Sequence, residues 1–260
     1  MRALRWILIA AVLLYGGAAA IVYSSQNAMV FLPPARALSN CTLPAGVTPW
    51  AYHGEQGLLA GQGGRKLLVF FHGNAGDACN WRYLGVNHLN SLGYDVLVLE
   101  YPGYGGDARV PSKVGIEAVV AAAANWAEAE GYQQKVAMGY SLGTGAAAVF
   151  AQDFGAEKVV LFAPYDSIYN VAWSMGMVFP RALLNTDFDN VAALSGTETK
   201  VYIVHGNRDR VIPARFSEAL AGQLEAVGGV VSRQVLAGVG HNGLFDSPRF
   251  DAMMQDILED

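Results

Sequence analysis

The chain has 260 residues, about the size of one large α/β domain. Its 53% hydrophobic and 15% charged residues make it apolar for a protein wholly in water. A formal net charge of -5 with no basic stripe excludes a phosphate-backbone partner, and so a nucleic-acid-binding protein.

Residues 6–23 carry no charge, are rich in Leu, Ile, Val and Ala, and follow Arg2 and Arg5. Eighteen such residues just cross the hydrocarbon core as a helix, which makes 1–23 a hydrophobic N-terminal helix acting as a membrane anchor. A signal peptide cleaved among the small residues Gly16 to Ala20 is the alternative. The apolar run continues past those residues into Ile21, Val22 and Tyr23, which favours the anchor. On either reading the arginines stay inside, and the rest of the chain lies on the non-cytoplasmic side, anchored or secreted.

Residues 24–64 read as a connector, with Pro33 and Pro34 near its start, followed by N-terminal strands. Cys41 and Cys79 are the two cysteines, too few for a disulfide scaffold or a cysteine metal site. An oxidising compartment permits one bridge between them; two free or buried thiols are the other reading.

From residue 65 to 260 the pattern is that of one catalytic domain. Strand-length apolar runs fall at 67–71, 96–99, 135–138, 159–162 and 201–204, with a strand-like run at 230–236. Helical stretches are expected at 81–92, 112–130, 143–154, 214–227 and 250–258. Near-continuous hydrophobicity marks strands buried on both faces, so the fold class is α/β: a mostly parallel central sheet with helices on both faces. Residues 165–196 break this rhythm and are read as a small cap insertion. Functional residues belong at the C-terminal ends of the strands.

The sharpest motif is Gly139-Tyr140-Ser141-Leu142-Gly143, between a strand and an Ala-rich helix. A serine on such a tight turn has a strained backbone, and small flanking residues let the neighbouring elements close in on it. Ser141 is therefore the candidate nucleophile. After the strand at 67–71, Phe71-His72-Gly73-Asn74-Ala75-Gly76 turns backbone N–H groups toward one point, as an acyl-transfer site needs for its oxyanion. The donors expected are Leu142 and Asn74, with Ala75 as the alternative to Asn74; His72 is read as bracing the loop. Asp209 follows the strand at 201–204, and His241 follows the run at 230–236. Asp209 is the expected orienting acid, ahead of Asp166 and Asp187, and His241 the general base. The chain order serine, acid, histidine is the one imposed by the α/β-hydrolase topology. Tyr165, Ile168, Trp173, Met175, Met177 and Phe179 either line an acyl pocket or pack the cap on the core. No cluster has metal-ligand spacing, and this chemistry requires no metal or organic cofactor.

Taken together, these motifs resemble the membrane-anchored branch of the α/β-hydrolase superfamily related to serine aminopeptidase-like and depalmitoylase-like hydrolases. The resemblance runs over residues 66–244 and is carried also by Tyr101-Pro102-Gly103-Tyr104-Gly105, Pro111-Ser112, Ala163-Pro164-Tyr165, His205-Gly206, Val211-Ile212-Pro213 and Gly240-His241-Asn242. It implies an α/β-hydrolase fold and a serine hydrolase that cleaves ester or thioester bonds of small acyl or lipid-like substrates. An amidase or peptidase with the same three residues, or a binding protein on a hydrolase shell, is the alternative. The chain departs from the branch's usual pattern at Asp107-Ala108-Arg109 and at Gly243, neither of which is one of the three residues.

Overall fold

The structure is a computed structural model that describes residues 2–61 and 63–260. It begins with helix α1 (Arg2–Val30), which runs seven residues past Tyr23, because Ser24 to Val30 contain nothing that stops a helix before Pro33. Among the described residues there is one eight-stranded sheet, ordered β1-β2-β4-β3-β5-β6-β7-β8. Its strands are β1 (Val47–Tyr52), β2 (Glu55–Ala60), β3 (Lys66–Phe71), β4 (Tyr94–Leu99), β5 (Gln134–Tyr140), β6 (Lys158–Phe162), β7 (Lys200–Gly206) and β8 (Val231–Leu236). β1 and β2 run antiparallel at one edge, and the pairings from β4 through β3 to β8 are all parallel.

Alternation along the central strands divides the core in two. Leu67, Val69 and Phe71 with Leu97, Leu99, Val159, Leu161 and Ile203 form one apolar layer. Helices α3 (Lys113–Ala129), α4 (Gly143–Phe154) and α7 (Arg215–Ala226) cover it through Val119, Phe150 and Leu220. Leu68 and Phe70 with Val96, Val98, Met138, Val160 and Phe162 form the other layer, beneath Met253, Met254 and Ile257 of α8 (Phe250–Glu259). Burial on both faces is why these strands read as unbroken apolar runs.

The expected helix at 81–92 is instead a 3-10 turn at Ala78–Trp81, a single helical turn α2 (Leu84–Asn87) and a second 3-10 turn at Leu89–Leu92. Gly85, Asn90 and Ser91 weaken helical continuity, and His88 leaves helical geometry (φ -141). Tertiary contacts require the break: a Cβ at Gly85 would lie 2.5 Å from that of Ala60, and the Asn90 amide donates to the carbonyls of Ala60 and Tyr94. The insertion at 165–196 contains α5 (Ile168–Ser174), a 3-10 turn at Arg181–Leu183 and α6 (Asn190–Leu194). Cys41 and Cys79 are bridged, tying the connector to the 3-10 turn at Ala78–Trp81.

Candidate active site

Ser141 sits between β5 and α4 with φ 52, a left-handed conformation that costs a non-glycine residue energy. Packing imposes it. A Cβ at Gly139 would fall 2.5 Å from the carbonyl oxygen of Gly143, and one at Gly143 would fall 2.1 Å from that of Phe71. Any side chain at either position would push helix and strands apart. The Ser141 N–H is held by the carbonyl of Phe162 at 2.9 Å.

His241 opens the 3-10 turn after β8, with Nε2 3.0 Å from the Ser141 hydroxyl and Nδ1 2.6 Å from Oδ2 of Asp209. These three side chains come from the ends of three strands and form one hydrogen-bonded line. The Tyr140 hydroxyl donates toward the His241 carbonyl (3.2 Å) and Oδ1 of Asn242 (2.9 Å), fixing the histidine turn to the serine turn. Burial, aided by the charge of Asp209, pushes the Tyr140 phenol up, so it stays a donor.

Asp209 also receives the N–H groups of Val211 (2.8 Å) and Ile212 (2.9 Å), and its Oδ2 lies 3.2 Å from Nε2 of buried His205. Burial alone would raise its pKa. Hydrogen bonds from His205 and His241, the charge of His241 and the Ile212 N–H outweigh burial and hold the carboxyl well below the usual carboxylate range. Asp166 and Asp187 are used elsewhere: Asp166 accepts from Ser167 and Asn170, and Asp187 from Tyr169 and Arg181.

His72, read from the sequence as bracing the loop, forms a second buried unit with Glu100, a partner missed in the sequence. Register pairs Phe71 with Leu99, so the next residues of both strands meet, and His72 Nε2 lies 3.0 Å from Glu100 Oε1. Glu100 also accepts from the N–H groups of Ala78 and Tyr101. A carboxylate directly after the apolar run 96–99 was the available signal.

In the loop that follows, Asn74 is fully engaged through its side chain. Its amide donates to Val30 O (2.5 Å), and its oxygen accepts from Leu32 N–H (2.8 Å), the Tyr104 hydroxyl (2.8 Å) and Ala75 N–H (3.0 Å). Ala75 N–H is thereby committed, whereas the N–H groups of Asn74 and Leu142 have no backbone acceptor among the described residues. A cleft of about 500 Å³ opens beside this loop, lined by Asn74, Trp81, Tyr140, Asn242 and Phe245 among others. Trp81 and Phe245 are a second omission of the sequence reading; their rings meet edge-on at 4.4 Å although 164 positions separate them.

The cap residues proposed from sequence as a pocket do not gather there. Tyr165 is 2% exposed and donates to the Leu142 carbonyl, so it is core, because it lies three residues past the end of β6 and is tied to the start of α4. Ile168 packs on the core, Phe179 stacks on Tyr15 of α1, Met177 is partly buried, and Trp173 and Met175 face outward at 49% and 74% exposure.

A sequence profile described as the alpha/beta hydrolase fold matches residues 66–164. An esterase of Pyrococcus furiosus superposes with a TM-score of 0.68 at 16% identity, covering 88% of this chain and 97% of that one. The chain therefore has the α/β-hydrolase fold. An uncharacterized protein of Mycobacterium tuberculosis is 28% identical over 255 residues, covering 93% of this chain and 89% of the relative. A lysophosphatidylserine lipase of Danio rerio is 26% identical over 226 residues, covering 76% of this chain but only 59% of the lipase.

Proposed function

We propose that the protein is a serine hydrolase of the membrane-anchored branch, cleaving carboxylic ester or thioester bonds of acyl substrates through an acyl-enzyme on Ser141. The observation that carries this is the continuous line from Asp209 through His241 to the strained Ser141. An imidazole at 3.0 Å can take the hydroxyl proton as the oxygen attacks an acyl carbon. Asp209 keeps Nδ1 protonated, so Nε2 is the free base, and stabilises the imidazolium that results. The N–H groups of Leu142 and Asn74 would receive the carbonyl oxygen as it becomes negative, at the N-terminus of α4 where the helix dipole favours that charge. The imidazolium returns its proton to the departing alcohol or thiol, and water then releases the acid by the same path. The cleft lined by Trp81 and Phe245 is the acyl or leaving-group site in this scheme, in place of the cap residues.

The Cys41–Cys79 bridge supports a catalytic domain on the non-cytoplasmic side, where disulfides persist. Ester-cleaving relatives support the choice of bond. Turnover of short p-nitrophenyl esters and thioesters by the full chain should fall at least about 10³-fold in Ser141→Ala. Equal turnover by both proteins would remove Ser141 from the chemistry.

A further inference from the structure

The position of the cap on α1 fixes where the cap lies relative to a bilayer. Midway along the helix the Tyr15 hydroxyl donates to Val178 O at 3.1 Å, and its ring lies 5.4 Å from that of Phe179. Eleven residues later the buried Gln26 amide donates to Leu183 O at 3.1 Å and accepts from the N–H groups of Asn185 and Thr186. The cap therefore runs alongside the helix between the levels of Tyr15 and Gln26.

At about 1.5 Å per residue, the uncharged stretch between Arg5 and Tyr15 is about 14 Å long, too short for a hydrocarbon core of about 30 Å. For α1 to cross, the level of Tyr15 must lie inside the hydrocarbon, about 12 Å below the level of Tyr23, and the cap residues bonded there lie inside with it. The composition of the cap agrees. Residues 168–180 carry no charge, and Trp173, Met175 and Val178 point large apolar side chains outward (49%, 74% and 52% exposed). The first charged residue, Arg181, comes between the Tyr15 and Gln26 levels, at headgroup depth, where a long cationic side chain is at home.

We propose, building on the hydrolase reading above, that the cap tip around Trp173, Met175 and Val178 is inserted in the outer half of the bilayer, so that the enzyme takes bilayer-resident acyl amphiphiles in preference to dissolved esters. Val30 and Leu32, just beyond the anchor, hold the Asn74 loop through its side chain, so the reacting serine lies close above the membrane surface. An acyl amphiphile with a short headgroup reaches it without leaving the leaflet.

The full chain carrying Met175→Cys, spin-labelled and reconstituted in phosphatidylcholine vesicles, gives the depth directly. A label at Glu130→Cys, exposed at the opposite end of the sheet beyond α3, is the reference. The Met175 label should be open to dissolved oxygen and shielded from an aqueous nickel chelate, and the Glu130 label the reverse. Equal aqueous accessibility at both would overturn the insertion. With Trp173→Glu/Met175→Glu, the rate on a vesicle-borne long-chain ester should drop at least about tenfold relative to that on a soluble butyrate ester. An unchanged ratio would overturn bilayer delivery. A buried label at position 175 in the Met175→Cys chain, together with wild-type protein that cleaves neither ester, would sink the hydrolase reading while leaving the insertion in place.

Discussion

Asp209 carries more of the site than its place at the end of the hydrogen-bonded line implies, since it accepts from His241 and two backbone N–H groups and lies 3.2 Å from buried His205. Its pKa is depressed in the folded state, so its contribution to stability is complete above the unfolded carboxylate value of about 3.9 and is lost as pH falls through the lower folded value. Melting curves of wild type and Asp209→Asn should differ at neutral pH and converge in strong acid; a gap that widens on acidification would reverse the sign assigned here. In the same variant kcat should drop by about 10⁴-fold with the fold intact, because the amide favours the wrong imidazole tautomer. Asp209 stays ionised throughout the working range, so the carboxylate itself adds no acidic limb to the rate profile. Ser141, Asp209 and His241 could be picked out because each follows a recognisable strand in a fixed chain order. Glu100 and His205 could not, since their partnerships arise from strand register and from a loop folding back.

At the level of elements, the strands were readable wherever burial on both faces made them continuously apolar, as at residues 67–71 and 159–162. The 78–92 segment misled because its apolar spacing mimics a helix while Gly85 and Asn90 answer to contacts with Ala60 and Tyr94, outside the segment. Two links hold this irregular side of the site. The disulfide closes a loop of 38 residues, and Cys41→Ala/Cys79→Ala should lose about 3 to 4 kcal/mol in denaturant titration. Asn74 joins the end of α1 to the loop of the proposed oxyanion donors, so Asn74→Ala should lower kcat about 10- to 100-fold with little change in KM. A rise in KM alone would mean that Asn74 contacts substrate instead of positioning the loop.

For the whole molecule, the proposed anchor α1 is also a structural element: Gln26 is buried, as is Phe31 directly after the helix, and Tyr15 is bonded to the cap. Removal of the helix at Gly16 to Ala20 would strip Tyr15 from Val178 and Phe179, so protein extracted from membranes should retain the segment by intact mass. The reach of α1 along the cap was hidden in the sequence, where an apolar helix signals only that a bilayer is near. The central claim is that Ser141 is an activated nucleophile, and an irreversible fluorophosphonate probe tests it most directly. Peptide mapping of the labelled full chain should place a single phosphonyl adduct on Ser141, with labelling suppressed in His241→Ala; folded protein that takes up no probe at Ser141 would contradict it.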